Sequence, residues 1–90
     1  EPTWWLTCIT IEPAFACFDR EALRRHLETA DVESRPTWKP MHLQPVFAQA
    51  PRRMDGTSES LFRNGLCLPS GSGLSDADQD RVIALVRRRF

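Results

Sequence analysis

The sequence predicts an α+β fold, a short sheet with helices packed on it. Two short apolar runs rich in β-branched residues alternate with two longer segments whose apolar residues recur at helical spacing. Each helical segment opens on a recognisable capping residue, and prolines close both strand-like runs. At 90 residues there is room for one domain. A chain this short buries roughly 60–65% of the surface that its unfolded form exposes, which leaves little for an internal chamber beside a core.

The first run, Trp4 to Ile11, reads as a strand closed by Pro13. Trp5, Leu6, Cys8, Ile9 and Ile11 put apolar side chains on both of its faces. That pattern suggests a strand covered on two sides rather than the alternation of a standalone antiparallel sheet, with one covering surface outside this sequence. Asp19 is a good N-cap for a helix running to about Ala30, with Leu23, Leu27 and Ala30 as its buried stripe. Glu21 stands four residues before Arg25, the favoured order for a surface ion pair, and His26 borders the apolar stripe.

Val32 to Arg35 reads as a second short strand. Pro36, Pro40, Pro45 and Pro51 then impose an irregular, shaped loop, since each removes a donor and turns its predecessor away from helix. A short helix is expected near Ser58 to Arg63, with Gly65 as its C-cap. Leu66-Cys67-Leu68 forms a strand stopped by Pro69, and Ser70 to Gly73 forms a turn. Ser75 caps the last helix, with Asp78 completing an approximate capping box. Val82, Leu85 and Val86 supply its buried face, flanked by Ile83 and Phe90, and Arg87, Arg88 and Arg89 complement its dipole.

Composition excludes several classes. Apolar residues at 41% and charged residues at 27% fit a folded globular chain rather than a disordered tail. The 12 basic and 12 acidic side chains cancel, which argues against a nucleic-acid binder working through a net positive field. No apolar run approaches the roughly 20 residues that span a bilayer, so no membrane partner is expected. Cys8, Cys17 and Cys67 are odd in number and widely spaced, without metal-knuckle spacing. They read as free, mostly buried thiols of a cytoplasmic protein. The opening Glu1-Pro2-Thr3 lacks an initiating Met and any signal peptide, and reads as the start of a fragment.

Chemistry concentrates in Arg35-Pro-Thr-Trp-Lys-Pro-Met-His-Leu-Gln-Pro45. Three prolines pin a guanidinium, an indole, an ammonium, an imidazole and an amide at low entropic cost. Arg35 and Lys39 suit carboxylate or phosphate, and Trp38 suits a flat ring or a sugar face. The same residues also describe a proline-braced structural loop. Lys39 is the one lysine of the chain, but no acid at a clear spacing would pair with a cofactor's pyridine nitrogen. Gly71-Ser-Gly73 before a helix is a weak anion-site signal, better read as a turn, and no catalytic residue or metal site can be placed from spacing.

Two stretches, Glu33 to Phe47 and Gly65 to Ile83, resemble the end of the DegT/DnrJ/StrS family of sugar aminotransferases, and Trp5 to Thr10 also fits. The resemblance looks strongest to the branch that makes 4-amino sugars. It implies that residues 1–90 are the small C-terminal domain of a type I pyridoxal-phosphate-dependent transferase, without the large domain that carries the cofactor and its lysine. It implies a homodimeric parent that passes an amino group from an amino acid, usually glutamate, through pyridoxal phosphate to a nucleotide-linked 4-keto-6-deoxy sugar. On that reading the fragment is inactive alone and binds no cofactor. The resemblance also implies that Arg35, Trp38, Lys39 and His42 shape the mouth of the site or contact the nucleotide-sugar or donor, unless they only dock this domain onto the large one. The alternative is an autonomous module binding a peptide or nucleotide through the Pro/Trp loop.

Overall fold

The computed structural model describes residues 5–90. The expected strand start at Trp4 and the Glu1-Pro2-Thr3 opening lie outside the described residues. The element order is β1 (Thr7–Thr10), α1 (Pro13–Ala16), α2 (Arg20–Glu28), β2 (Arg35–Pro36), α3 (Thr57–Asn64), β3 (Gly65–Leu68) and α4 (Asp76–Arg89). Two single-turn 3-10 helices, Met41–Leu43 and Pro45–Phe47, shape the loop between β2 and α3. The α+β architecture agrees with the sequence reading.

The three strands form one sheet in the order β1-β3-β2, with β3 antiparallel to both neighbours. Thr7 faces Leu68, Cys8 faces Cys67, Ile9 faces Leu66 and Thr10 faces Gly65 across β1 and β3, while Arg35 opposes Cys67 across β2 and β3. Side chains alternate between the two faces. Ile9, Leu66 and Leu68 therefore join a core built with Leu23 and Leu27 of α2 and Val82 and Leu85 of α4. Ile11, Phe18 and Val32 complete it. Cys8, Thr10 and Arg35 lie exposed on the opposite side. Within this chain the helices cover one side of β1 only, and the expected contrast with an antiparallel sheet is corrected, since β3 runs antiparallel to both neighbours.

Asp19 accepts a hydrogen bond from the Ala22 amide at 2.8 Å and starts α2 as expected. The helix stops through a feature that the sequence reading missed. The Val32 amide donates to the Leu27 carbonyl and the Asp31 amide to that of Glu28, each at 3.0 Å, while Asp31 takes a φ of 59°. This is a Schellman stop with Asp where Gly is usual. It draws Val32 into the core and moves the second strand from Val32–Arg35 to Arg35–Pro36.

His26 borders the buried stripe of α2 as expected, its Nε2 donating to the Leu85 carbonyl of α4 at 3.0 Å. Arg81 of α4 donates back to the Ala30 carbonyl. Ser75 caps α4 through the Asp78 amide at 3.1 Å. Ile83 and Phe90 are exposed rather than buried flanks, although Phe90 meets Phe18 edge-on at 4.9 Å. Gly65 ends α3, but in extended conformation as the first residue of β3 rather than as a left-handed cap. A Cβ there would lie 2.6 Å from the Thr37 hydroxyl oxygen and closer still to the Leu61 carbonyl. Absence of a side chain at Gly65 lets the loop cross the strand.

Candidate functional site

The proline-rich loop is held down from below. Thr37 donates its hydroxyl to the Leu61 carbonyl at 2.8 Å, and its amide reaches the Gly65 carbonyl at 3.4 Å. Pro40 and Pro45 start the two 3-10 turns, whose φ they preset, and Gln44 Nε2 donates to the Lys39 carbonyl at 3.2 Å. At the far end His42 Nε2 donates to Glu59 Oε1 of α3 at 2.7 Å, and Arg52 donates to the His42 carbonyl at 3.2 Å. These bonds fix the loop against α3 and β3 and leave its aromatic and cationic side chains outward.

Two clefts share Trp38 beside the sheet, and a third lies between the loop and α3. The first, about 450 Å³, is lined by Trp5, Leu6, Glu33, Arg35, Trp38 and Cys67 with their neighbours. The second, about 550 Å³, lies between Cys8, Ile9, Thr37, Trp38, Lys39, Met41 and Leu61. Trp38 is the shared wall. It is 62% exposed and meets Trp5, itself 70% exposed, with ring centroids 5.7 Å apart and planes tilted by 42°. Two indoles left in water beside an open sheet are costly unless something else covers them. The third cleft, about 730 Å³, is lined by Met41, His42, Phe47, Arg52, Arg53 and Glu59.

The structure therefore joins Arg35 to Trp38 and Trp38 to Lys39, but sets His42 apart. The His42 side chain is only 13% exposed and is committed to Glu59. Arg35 is held by Glu33 through bonds of 2.7 and 2.9 Å on the surface. Lys39 has no carboxylate at ion-pair distance among the described residues. Sequence reasoning missed Glu59 as the partner of His42, because 17 residues separate them and nothing local marks the pair. It also missed Trp5 as the neighbour of Trp38, which only strand pairing reveals.

The same arrangement tests whether these residues form a cofactor pocket. A pyridoxal phosphate site needs a lysine for the Schiff base, an acid at the pyridine nitrogen and donors for the phosphate. The cleft around Lys39 offers the amine and apolar walls but no carboxylate to pair with a pyridine nitrogen. The described residues do not fit that cofactor as a self-sufficient site. The turn at Gly71 to Gly73 is structural: Ser70 Oγ accepts from the Thr7 amide and donates to the Leu68 carbonyl, both at 2.8 Å, and Ser75 already occupies the start of α4. Among the described residues, no cluster of His, Cys, Asp and Glu could hold a metal ion, and no helix is long and apolar enough to cross a membrane. The thiols depart from expectation, since Cys8 and Cys17 are exposed and Cys67 is half-buried.

Comparison with known proteins gives a consistent answer. Residues 1–87 match the model of the DegT/DnrJ/EryC1/StrS aminotransferase family. The chain is 36% identical over 90 residues to EpsN of Bacillus subtilis (strain 168), named as a pyridoxal phosphate-dependent aminotransferase, covering 96% of this chain and 22% of that protein. GDP-perosamine synthase of Vibrio cholerae is 32% identical over 89 residues, 98% of this chain and 24% of its own length. Among solved structures, DesV of S. venezuelae superposes with a TM-score of 0.79 at 32% identity, over 98% of this chain and 23% of that one. A family aminotransferase from Brucella abortus gives 0.76 at 32% identity, over 92% and 21% respectively. The chain thus spans about a fifth to a quarter of the length of these relatives.

Proposed function

The chain belongs to the DegT/DnrJ/EryC1/StrS aminotransferase family, and from that premise we propose that it is the small C-terminal domain of a nucleotide-sugar aminotransferase. The parent transfers an amino group from an amino acid, glutamate in the first instance, to a nucleotide-linked 4-keto-6-deoxy sugar destined for surface polysaccharide or protein glycosylation. It works in the cytoplasm as a homodimer. Pyridoxal phosphate, carried by the large domain, supplies the amino-group relay. The relatives named as a pyridoxal phosphate-dependent aminotransferase and as GDP-perosamine synthases support this reading.

The observation that carries the role of this domain is the uncovered sheet face with Trp5, Trp38, Arg35 and Lys39 along it. A domain meant to stand alone would cover two indoles. Here they front the substrate site, with the large domain opposite. Trp38 offers a flat surface to a base or sugar, and Arg35 and Lys39 offer charge to a diphosphate. His42 acts one step back, bonded to Glu59 and holding the loop in place.

The test is steady-state kinetics of the full-length parent. Trp38→Ala and Lys39→Ala are expected to raise KM for the nucleotide sugar about tenfold each, about 1.4 kcal/mol of binding, with cofactor absorbance unchanged. A KM within twofold of the parent's for both variants would contradict the assignment of the loop.

A further inference from the structure

Cys8 on β1 and Cys67 on β3 are direct cross-strand partners, with their sulfurs 3.4 Å apart and both thiols free. Directly opposed residues of an antiparallel pair have Cα atoms about 4.5 or 5.5 Å apart. Either spacing lies within the roughly 4.4–6.8 Å that a disulfide spans. Bond formation therefore needs side-chain rotation and little backbone movement. The flanking residues Ile9 and Leu66 point into the core, so the two sulfurs lie on the sheet face that the helices leave open. Cys17, at the end of α1, is exposed and is not part of this pair.

We propose that Cys8 and Cys67 are an oxidisable dithiol, which a peroxide converts to a reversible cross-strand disulfide. The Cys8 thiol gives up its proton and its sulfur attacks one peroxide oxygen; the O–O bond breaks, and the departing hydroxide takes up that proton as water, leaving a sulfenic acid on Cys8. The Cys67 sulfur then attacks the Cys8 sulfur, the S–O bond breaks, and a second water departs. Two thiols lose one electron each, and one hydrogen peroxide is reduced to two waters. A thiol reductant reverses the change by exchange.

The order of attack follows from exposure. Cys8 faces solvent, whereas Cys67 is half-buried between β1 and β2. Desolvation, reinforced by the hydrogen bond with Cys8, raises the Cys67 thiol above its ordinary value. Cys67 lines the cleft with Trp5, Arg35 and Trp38, and Cys8 lines the cleft with Trp38 and Lys39. The disulfide would tie the floors of both clefts together.

The experiment uses the 90-residue chain carrying Cys17→Ser, fully reduced, with circular dichroism to confirm the fold. Stoichiometric hydrogen peroxide is expected to consume both remaining thiols, and peptide mass mapping to find an intrachain link between the segments bearing Cys8 and Cys67. The melting temperature should rise by about 10 °C or more, because the bridge closes a long loop, and should return on reduction. The Cys17→Ser, Cys67→Ser variant should instead accumulate a sulfenic acid on Cys8 that a dimedone probe captures. Persisting free thiols, a disulfide between two chains, or oxidation confined to Cys67 would each overturn the proposal.

Discussion

At the residue scale, Gly65 and Glu59 decide where the loop lies. Gly65 leaves space that the Thr37 side chain and the Leu61 carbonyl fill. Gly65→Ala forces one of them to move, and the nearest is backbone. The expected loss is about 1–3 kcal/mol, the range for overpacking a tight site, read from the midpoint of urea unfolding. Glu59 accepts from His42 across the base of the loop. Glu59→Ala leaves a half-buried imidazole without its acceptor and is expected to cost about 1 kcal/mol by the same measurement. Hydrogen exchange should then quicken across residues 40–47, which that bond secures. The residue types of the loop were legible in the sequence, since proline spacing and the mixture of indole, ammonium and imidazole announce a shaped surface. The separation of His42 from Arg35, Trp38 and Lys39 was not, because it depends on which helix passes beneath the loop.

At the element scale, α2 carries the most local information. Its Asp19 cap and Leu23/Leu27 stripe were both readable, since capping and periodicity are short-range. Its end was not, because Asp31 supplies a left-handed residue without the glycine that would have advertised it. Glu21 shows a finer discrepancy. Spacing favoured Arg25, which does pair with it at 3.3 Å, but Arg24 grips both carboxylate oxygens at 2.7 and 3.0 Å and also reaches Glu28 at 3.1 Å. Arg24, chiefly through these hydrogen bonds, holds the Glu21 carboxyl at about 2 against an ordinary 4.5. A carboxyl depressed on folding stabilises the fold above its unfolded value. Its contribution is therefore full above pH 4.5 and is lost as pH falls toward 2. Glu21→Gln should flatten the acid side of the stability profile in that window, an effect that salt diminishes because the pair faces solvent. Asp19→Ala should cost about 1 kcal/mol, read from the midpoint of urea unfolding.

At the scale of the whole molecule, the core is small and one-sided. Leu23, Leu27 and Leu66 are its fully buried large side chains. Leu27→Ala is expected to cost about 2–5 kcal/mol, enough to unfold a domain with so few anchors. The radius of gyration is 15.2 Å, against about 12 Å for a compact domain of this length. The excess comes with a three-stranded sheet packed by helices on one face and a long proline-rich loop beside it. The apolar residues on both faces of the first strand were legible in the sequence, but what lies against its outer face was not. Antiparallel pairing and the sheet order were beyond reach, because they depend on contacts made far apart in sequence.

The central claim, that this is one domain of a sugar aminotransferase whose cofactor resides elsewhere in the parent, is tested most directly by cofactor absorbance and activity measured together. The 90-residue chain is titrated with pyridoxal phosphate alone, then in the presence of the separately expressed remainder of the parent. The account predicts no Schiff-base absorbance and no amino transfer for the chain alone, and amino transfer to the nucleotide-linked keto sugar once the remainder is supplied. A Schiff base on Lys39 in the isolated chain, or a remainder whose activity is indifferent to this chain, would contradict it.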